Sequence, residues 1–281
     1  MSFDYTIIGA SGFVGKKISE QLNKEPCKIY CPKKDELIDY SQNLGVVIYT
    51  AGYGDCNKDP YNVVAASVAL LSDILKNGNF DKLIYFSSTR LYMGMDDSRE
   101  DNPGITVLNQ DSRRLFNLAK MTGEELCRKS SKNIVIVRPS NIYGLALQSP
   151  LFLPSIMRDA ILKNEVNMYV QPDYAKDYIN VDDVVTYTLS LAKDENITDG
   201  IYNIASGVNV SAKDIAKALI DSTNCNIVWH SVPESIEKFP ATNIEKIKNV
   251  IQDYNPSDVL LDIGKTIEQF RIELGSGDAR C

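Results

Sequence analysis

Histidine is almost missing from this chain: His230 is the only one among 281 residues. One histidine cannot furnish a Cys/His zinc cluster or an H-E-x-x-H metalloprotease helix. A Ser-His-Asp triad would have to be built on His230, which lies in an expected strand with no nucleophile elbow nearby. Cysteine is thin as well. Cys27, Cys31, Cys56, Cys127, Cys225 and Cys281 contain no C-x-x-C pair, which argues against a metal cage or a disulfide framework. Cys27 and Cys31 are expected to face the interior of a sheet. Positive charge is in deficit, with 30 Lys and Arg against 37 Asp and Glu and a net charge of −7. Such a surface is poorly suited to nonspecific nucleic-acid binding, which depends on neutralising phosphates. No apolar run approaches the roughly 20 residues of a membrane span. The opening Met1-Ser-Phe-Asp-Tyr5 has no basic flank and enters a strand pattern at once. No signal peptide and a cytoplasmic address are therefore expected.

What is present is an ordinary globular composition, 44% hydrophobic and 24% charged, long enough to bury a core without staples. Short apolar runs at 28–31, 46–50, 82–87 and 134–138 alternate with helical patterns at 61–76 and 112–129. Continuous apolar strands separated by helices predict βαβ units and a parallel sheet covered on both faces. The stretch 99–111, containing Asn102-Pro103-Gly104, reads as a loop. Beyond Gly144 the pattern loosens, with helices predicted at 154–163, 181–192 and 212–221 and a strand at 201–204. A domain boundary is expected near Gly144–Pro150. This gives residues 1–144 as one domain and 145–281 as a smaller second one, with 178–206 able to pack back on the first.

Chemistry is concentrated in a few clusters. The segment Tyr5-Thr-Ile-Ile-Gly-Ala-Ser-Gly-Phe-Val-Gly15 reads as a strand, a tight turn and a helix start. Gly9, Gly12 and Gly15 let the backbone approach a diphosphate, whose charge then rests on the helix N-terminus. Ser11, Phe13 and Val14 fill out that turn. A dinucleotide fold usually carries an acid at the end of its second strand, but here the strand runs into Tyr30-Cys-Pro-Lys33-Lys34-Asp35. Lys33 and Lys34 can equally face a 2′-phosphate or be solvated, so NAD and NADP both stay open. Hydroxyls follow in Ile84-Tyr-Phe-Ser-Ser-Thr-Arg-Leu-Tyr92, at the carboxyl end of a central strand. Downstream lie Phe116-Asn-Leu-Ala-Lys120, Arg138-Pro-Ser-Asn-Ile-Tyr-Gly144 and Lys176-Asp-Tyr-Ile-Asn180. Most of the fifteen tyrosines are expected to pack, and only Tyr92, Tyr143 and Tyr178 fall in these clusters.

In the order of these motifs, from residue 5 to about 220, the chain resembles the extended short-chain dehydrogenase/reductases, the family of nucleotide-sugar epimerases, dehydratases and reductases. The resemblance implies an α/β fold: a Rossmann-type doubly wound parallel sheet for NAD or NADP, with a smaller C-terminal domain for a nucleoside-diphosphate sugar. It implies cofactor contacts at Gly9, Gly12 and Gly15, and at Thr50, Ala51 and Gly52 beside the nicotinamide. Ser88 matches the catalytic Ser/Thr, and Lys120 matches the lysine that holds the nicotinamide ribose. Thr89, Arg90, Asn141, Lys176 and Tyr178 fall at substrate positions, Lys176 where the family commonly has a diphosphate-binding arginine. The helices at 63–75 and 112–129 often form a dimer contact in this family, which implies a homodimer.

One departure dominates. The family's Y-x-x-x-K tyrosine falls on Phe116, which has no proton to give or take. Three explanations compete: an engineered Tyr→Phe variant that traps substrate, a natural enzyme using another acid/base (Tyr143, Ser88 or a water), or a binding protein without turnover. The retention of Lys120 in register favours the first. Dehydratases of the family carry Asp-Glu where this chain has Thr89-Arg90, decarboxylases a Glu at Arg90, and 3,5-epimerising synthases a Cys there. That leaves chemistry at C4 of an NDP-hexose, as 4-epimerase or 4-keto reductase. Arg90 itself either reaches the substrate or sits at the surface paired with Asp96 or Asp97.

Overall fold

The computed structural model describes residues 2–277 apart from 103, 105, 106, 147 and 150. The sequence expectations at Pro103, Pro150 and Cys281 lie outside the described residues. The chain opens with β1 (Tyr5–Ile8), α1 (Phe13–Leu22), β2 (Ile29–Tyr30) and β3 (Val46–Tyr49). Next come α2 (Pro60–Val64), a π-helical turn (Ala65–Ala69), α3 (Leu70–Asn77) and β4 (Lys82–Phe86). A 3-10 turn (Thr89–Tyr92), α4 (Arg114–Lys129) and β5 (Ile134–Pro139) follow. The rest comprises β6 (Asn141–Tyr143), α5 (Phe152–Leu162), β7 (Glu165–Met168), β8 (Ala175–Asn180), α6 (Val181–Lys193) and β9 (Asp199–Ile204). It ends with β10 (Asn209–Ser211), α7 (Ala212–Thr223), β11 (Asn226–Trp229), α8 (Glu245–Val250) and α9 (Val259–Gly277).

The main sheet has the order β2-β1-β3-β4-β5-β9, and every neighbouring pair is parallel. Its register explains the continuous apolar runs. Ile7, Ile48, Ile84 and Val135 pair across four strands and point into one core. Their successors Ile8, Tyr49, Tyr85 and Ile136 pair one step on and point into the core on the other face. Both faces are covered, so both sides of each strand are apolar. α1 and α6 pack together over the first face, and α4 packs with α2 and α3 on the other side. Asn180 caps α6 by accepting from the Asp182 N–H, and Asp182 and Asp183 in its first turn suit the positive helix end.

The helix expected over 61–76 is interrupted by the π-helical turn, where the Tyr49 hydroxyl donates to the Ala66 carbonyl at 2.6 Å. Half-buried Cys27 packs against the core of the first face, but Cys31 is exposed, which corrects the expectation that both face the sheet interior. β2 is two residues long and forms the sheet edge, so it has little interior to offer. A separate apolar cluster is built by α5, α7, α9, β7 and β8, around Leu153, Met157, Ile215, Ile263 and Phe270. None of the described helices is long and apolar enough to cross a membrane.

Candidate active site

The chain runs from β1 through α1 to β2 on one side, then returns to β3 on the other. Ligands of open α/β sheets bind at that reversal, beyond the carboxyl ends of the strands. The turn Gly9–Gly12 and the segment Thr50–Gly52 leave those two strand ends. Gly9 has φ +89°, and a Cβ on it would stand 2.7 Å from the Ala51 nitrogen. A Cβ on Gly15 would stand 2.3 Å from the Gly9 carbonyl oxygen and 2.7 Å from Thr50 Oγ1. Thr50 Oγ1 donates to the Ile8 carbonyl at 2.9 Å, and Gly12 N–H donates to the Gly9 carbonyl at 2.9 Å. Gly9 and Gly15 therefore make the close approach of turn, helix and β3 possible.

Gly12 differs: a Cβ there meets only the Gly9 carbonyl oxygen, at 3.2 Å, and Gly12 and Ser11 are exposed. Gly12 is the N-cap of α1, with no side-chain cap and no acidic residue in the first turn. The helix end thus presents backbone donors to an anion, which suits a dinucleotide diphosphate. Val14 packs into the core, and Phe13 reaches toward Gly144. Lys33 is exposed just past β2, where the Lys33 N–H and the Tyr30 hydroxyl donate to Glu36 at 2.8 and 2.7 Å.

Lys120 is buried on α4, and its Nζ donates to the Phe86 carbonyl at 2.6 Å. A Cβ on exposed Gly52 would stand 3.3 Å from that Nζ. Ser88 lies two residues beyond Phe86, half-buried, and its Oγ accepts from the Arg90 N–H at 3.1 Å, leaving its own proton to donate. Gly52, Lys120 and Ser88 thus gather at the ends of β3 and β4. Phe116 lies one turn before Lys120, its ring centroid 5.8 Å from Lys120 Nζ and 4.5 Å from the Arg113 guanidinium. Burial lowers Lys120 to about 8, against a smaller opposing effect of Glu124.

This lowering has a measurable consequence. Between pH 8 and 10.5 the unfolded chain holds the Lys120 proton more fully than the folded one, so this group makes stability rise with pH across that window. The stability difference between the wild type and Lys120→Met should climb there, by up to about 1.4 kcal/mol per pH unit. Denaturant unfolding at several pH values measures it, and a flat difference would contradict the assignment.

Arg90 overturns the surface alternative of the sequence reading. Its side chain is only 6% exposed, and it bridges Asp111 at 2.6 Å and Glu237 at 2.7 Å. Asp97 pairs with Arg99 instead. Asp111 also accepts from Asn117 Nδ2 at 2.8 Å and the Arg113 N–H at 2.9 Å, tying Arg90 to the start of α4. Lys176 bonds Glu237 at 2.9 Å rather than standing free, and the Tyr174 hydroxyl donates to the same carboxylate at 2.5 Å. Burial would raise the Glu237 carboxyl, but Lys176, Tyr174 and Arg90 hold it down at about 2. Thr89 is buried and donates to the Pro139 carbonyl at 3.3 Å. Asn141 is exposed, with its amide donating to the Asp177 carbonyl at 2.8 Å, while Tyr178 is buried in the second cluster.

Tyr143, a candidate replacement base, is turned away from this chemistry. Its hydroxyl donates to Asp262 at 2.9 Å, and burial and that carboxylate raise it far above the usual phenol range. Tyr92 is likewise structural, joined to Arg138 at 2.7 Å and Asn203 at 2.9 Å and pushed up to about 12 by burial. Arg138 grips Glu124 at 2.8 and 2.6 Å, and Ser87 donates to the same carboxylate. This buried network supports β4, β5 and α4 from beneath Lys120. Sequence reasoning missed Asp111, Arg113, Tyr174, Glu237 and the Glu124–Arg138 pair. No described group of His, Cys, Asp or Glu could hold a metal ion.

No curated protein matches the chain. Solved structures of like fold include MoeE5 in complex with UDP-glucose and NAD, at 16% identity and TM-score 0.82, covering 96% of this chain and 99% of that one. A Tyr→Phe mutant of UDP-glucuronic acid 4-epimerase from Bacillus cereus, in complex with UDP-4-deoxy-4-fluoro-glucuronic acid and NAD, is similar at 19% identity and TM-score 0.80, covering 98% and 100%. TunA, an NAD-dependent NDP-hexosamine 5,6-dehydratase involved in tunicamycin biosynthesis, is similar at 16% identity and TM-score 0.79, covering 96% and 98%. Residues 5–205 match the profile of the NAD-dependent epimerase/dehydratase family, and the chain belongs to that family.

Proposed function

We propose that the chain binds NAD and acts at C4 of a nucleoside-diphosphate hexose, as a 4-epimerase or 4-keto reductase. The observation that carries this reading is buried Lys120, whose Nζ lies beside Gly52 and donates to the Phe86 carbonyl two residues before Ser88, at the carboxyl ends of β3 and β4. When bound, NAD supplies hydride exchange with the sugar C4. Backbone N–H groups of Ser11, Phe13 and Val14 would hold the diphosphate, Thr50-Ala51-Gly52 would line the nicotinamide side, and Lys120 would hold the ribose. Ser88 donates to the C4 oxygen and orients it. Arg90, fixed by Asp111, leaves no carboxylate at the position where dehydratases of this family carry theirs, which favours C4 chemistry over elimination.

Residues 145–281 then supply most of the sugar-nucleotide contacts, Lys176 among them, with Asn141 joining from the first domain at the diphosphate. A homodimer is supported by exposed Tyr61 and Val64 on α2 and Leu118 on α4, helices that pack side by side. Phe116 favours a second reading, a sugar-nucleotide-binding protein without turnover. The Tyr→Phe mutant of the Bacillus cereus UDP-glucuronic acid 4-epimerase is itself in complex with UDP-4-deoxy-4-fluoro-glucuronic acid and NAD.

A thermal-shift panel of UDP-, GDP-, CDP- and TDP-sugars with NAD and NADP tests the proposal. NAD and at least one sugar nucleotide should each raise the unfolding temperature. A ligand at 100 times its Kd stabilises by about 2.7 kcal/mol. If NAD shifts the transition and every sugar nucleotide fails, the chain is a nicotinamide-ratio sensor and the C4 assignment falls.

A further inference from the structure

The carboxylate of Glu237 sits where a ligand would be expected. Arg90 leaves the carboxyl end of β4, Tyr174 and Lys176 flank the start of β8, and Arg113 opens α4; their side chains converge beyond the strand ends, in the crevice that receives ligands. Into it projects Glu237, from residues 230–244, a segment with neither helix nor strand between β11 and α8. Its side chain is 22% exposed and takes Arg90 Nη1 at 2.7 Å, Lys176 Nζ at 2.9 Å and the Tyr174 hydroxyl at 2.5 Å.

The charge inventory exceeds what a structural pair needs. Arg90 already has Asp111 at 2.6 Å, and buried Arg113 Nε has no hydrogen-bond partner. A cavity of about 270 Å³, lined by Tyr174, Asn209, Glu234, Lys238 and Phe239, opens beside the Glu237 carboxylate. The segment itself is pinned by its backbone, with Lys238 accepting from the Gly94 N–H at 2.8 Å and Phe239 from Asn209 Nδ2 at 2.9 Å. Glu237 can therefore leave by rotating its side chain while the segment stays in place.

We propose that Glu237 is an internal stand-in for a substrate oxyanion, occupying an Arg90–Lys176–Tyr174 site that the ligand takes over by displacing it. Guanidinium and ammonium groups recognise phosphate and carboxylate alike, so the oxyanion is a diphosphate oxygen or a carboxylate on the sugar. The proposal rests on the nucleotide-sugar reading for its ligand and goes beyond it in assigning Glu237 to competition for that site.

Titration calorimetry on the full chain tests it, comparing the wild type with Glu237→Gln and Glu237→Ala. The probes are UDP, uridine, pyrophosphate, UDP-glucose and UDP-glucuronic acid. Removing the competing charge should tighten the ligand that carries the oxyanion, UDP or UDP-glucuronic acid, about tenfold or more in both variants and leave uridine unchanged. A gain for UDP and UDP-glucose alike assigns the site to the diphosphate, and a gain confined to UDP-glucuronic acid assigns it to a sugar carboxylate. Tighter pyrophosphate binding without turnover of any sugar nucleotide upholds the stand-in while the C4 reading fails. The proposal is overturned if neither variant binds any of these anions more tightly than the wild type. Loss of folding in both variants also overturns it, since the carboxylate would then be a structural partner of Lys176.

Discussion

Replacing Phe116 by tyrosine is expected to raise turnover of a sugar nucleotide by about 10²–10⁴-fold, the usual contribution of a positioned acid/base. The side chain at 116 lies one helical turn before Lys120, on the same face of α4. A phenol there would inherit the neighbours of the Phe116 ring, the Arg113 guanidinium at 4.5 Å and Lys120 Nζ at 5.8 Å. Positive charge lowers a phenol from its ordinary value near 10, at about 1.4 kcal/mol for each unit. The gain should appear in kcat with little change in KM, because the hydroxyl acts in proton transfer. Steady-state kinetics on both chains measures it. Equal rates would dismiss the trapped-enzyme explanation and leave the binding-protein reading or a different base. Tyr143 is a poor choice for that base, because Asp262 holds its hydroxyl.

The first half of the fold was legible because its strands are buried on both faces. Runs such as Lys82–Phe86, buried throughout, can be read without periodicity. The glycine turn was legible for the same physical reason that it exists: no other residue fits where Gly15 meets the Gly9 carbonyl. Later elements were harder. β6, β7, β10 and β11 are three or four residues long, too short to show a period. Charged partners were least legible. The sequence reading offered Arg90 its local neighbours Asp96 and Asp97, but topology delivered Asp111 and Glu237, the latter from the far end of the chain. Likewise Lys176 was recognised by its motif, and nothing local pointed to the carboxylate that covers it. The π-helical turn, imposed where Tyr49 meets Ala66, has no sequence signature.

Binding of NAD by the Gly9–Gly15 turn underlies every functional statement above, and Gly15→Ala is the variant that tests it. The added Cβ would stand 2.3 Å from the Gly9 carbonyl oxygen, 2.7 Å from Thr50 Oγ1 and 2.8 Å from the Gly9 carbonyl carbon. Two of these contacts are backbone, so relief must come from moving the turn away from α1 rather than from turning a side chain. Overpacking of this kind costs about 1–3 kcal/mol. If the displaced turn is the diphosphate cradle, much of that penalty appears as lost affinity, about tenfold to a hundredfold. Titration calorimetry with NAD on the wild type and Gly15→Ala is the most direct measurement. The account predicts one NAD per wild-type chain and binding weakened about tenfold or more in a variant that still unfolds cooperatively. A wild type that takes up no NAD, or a folded variant that binds it equally well, would contradict it.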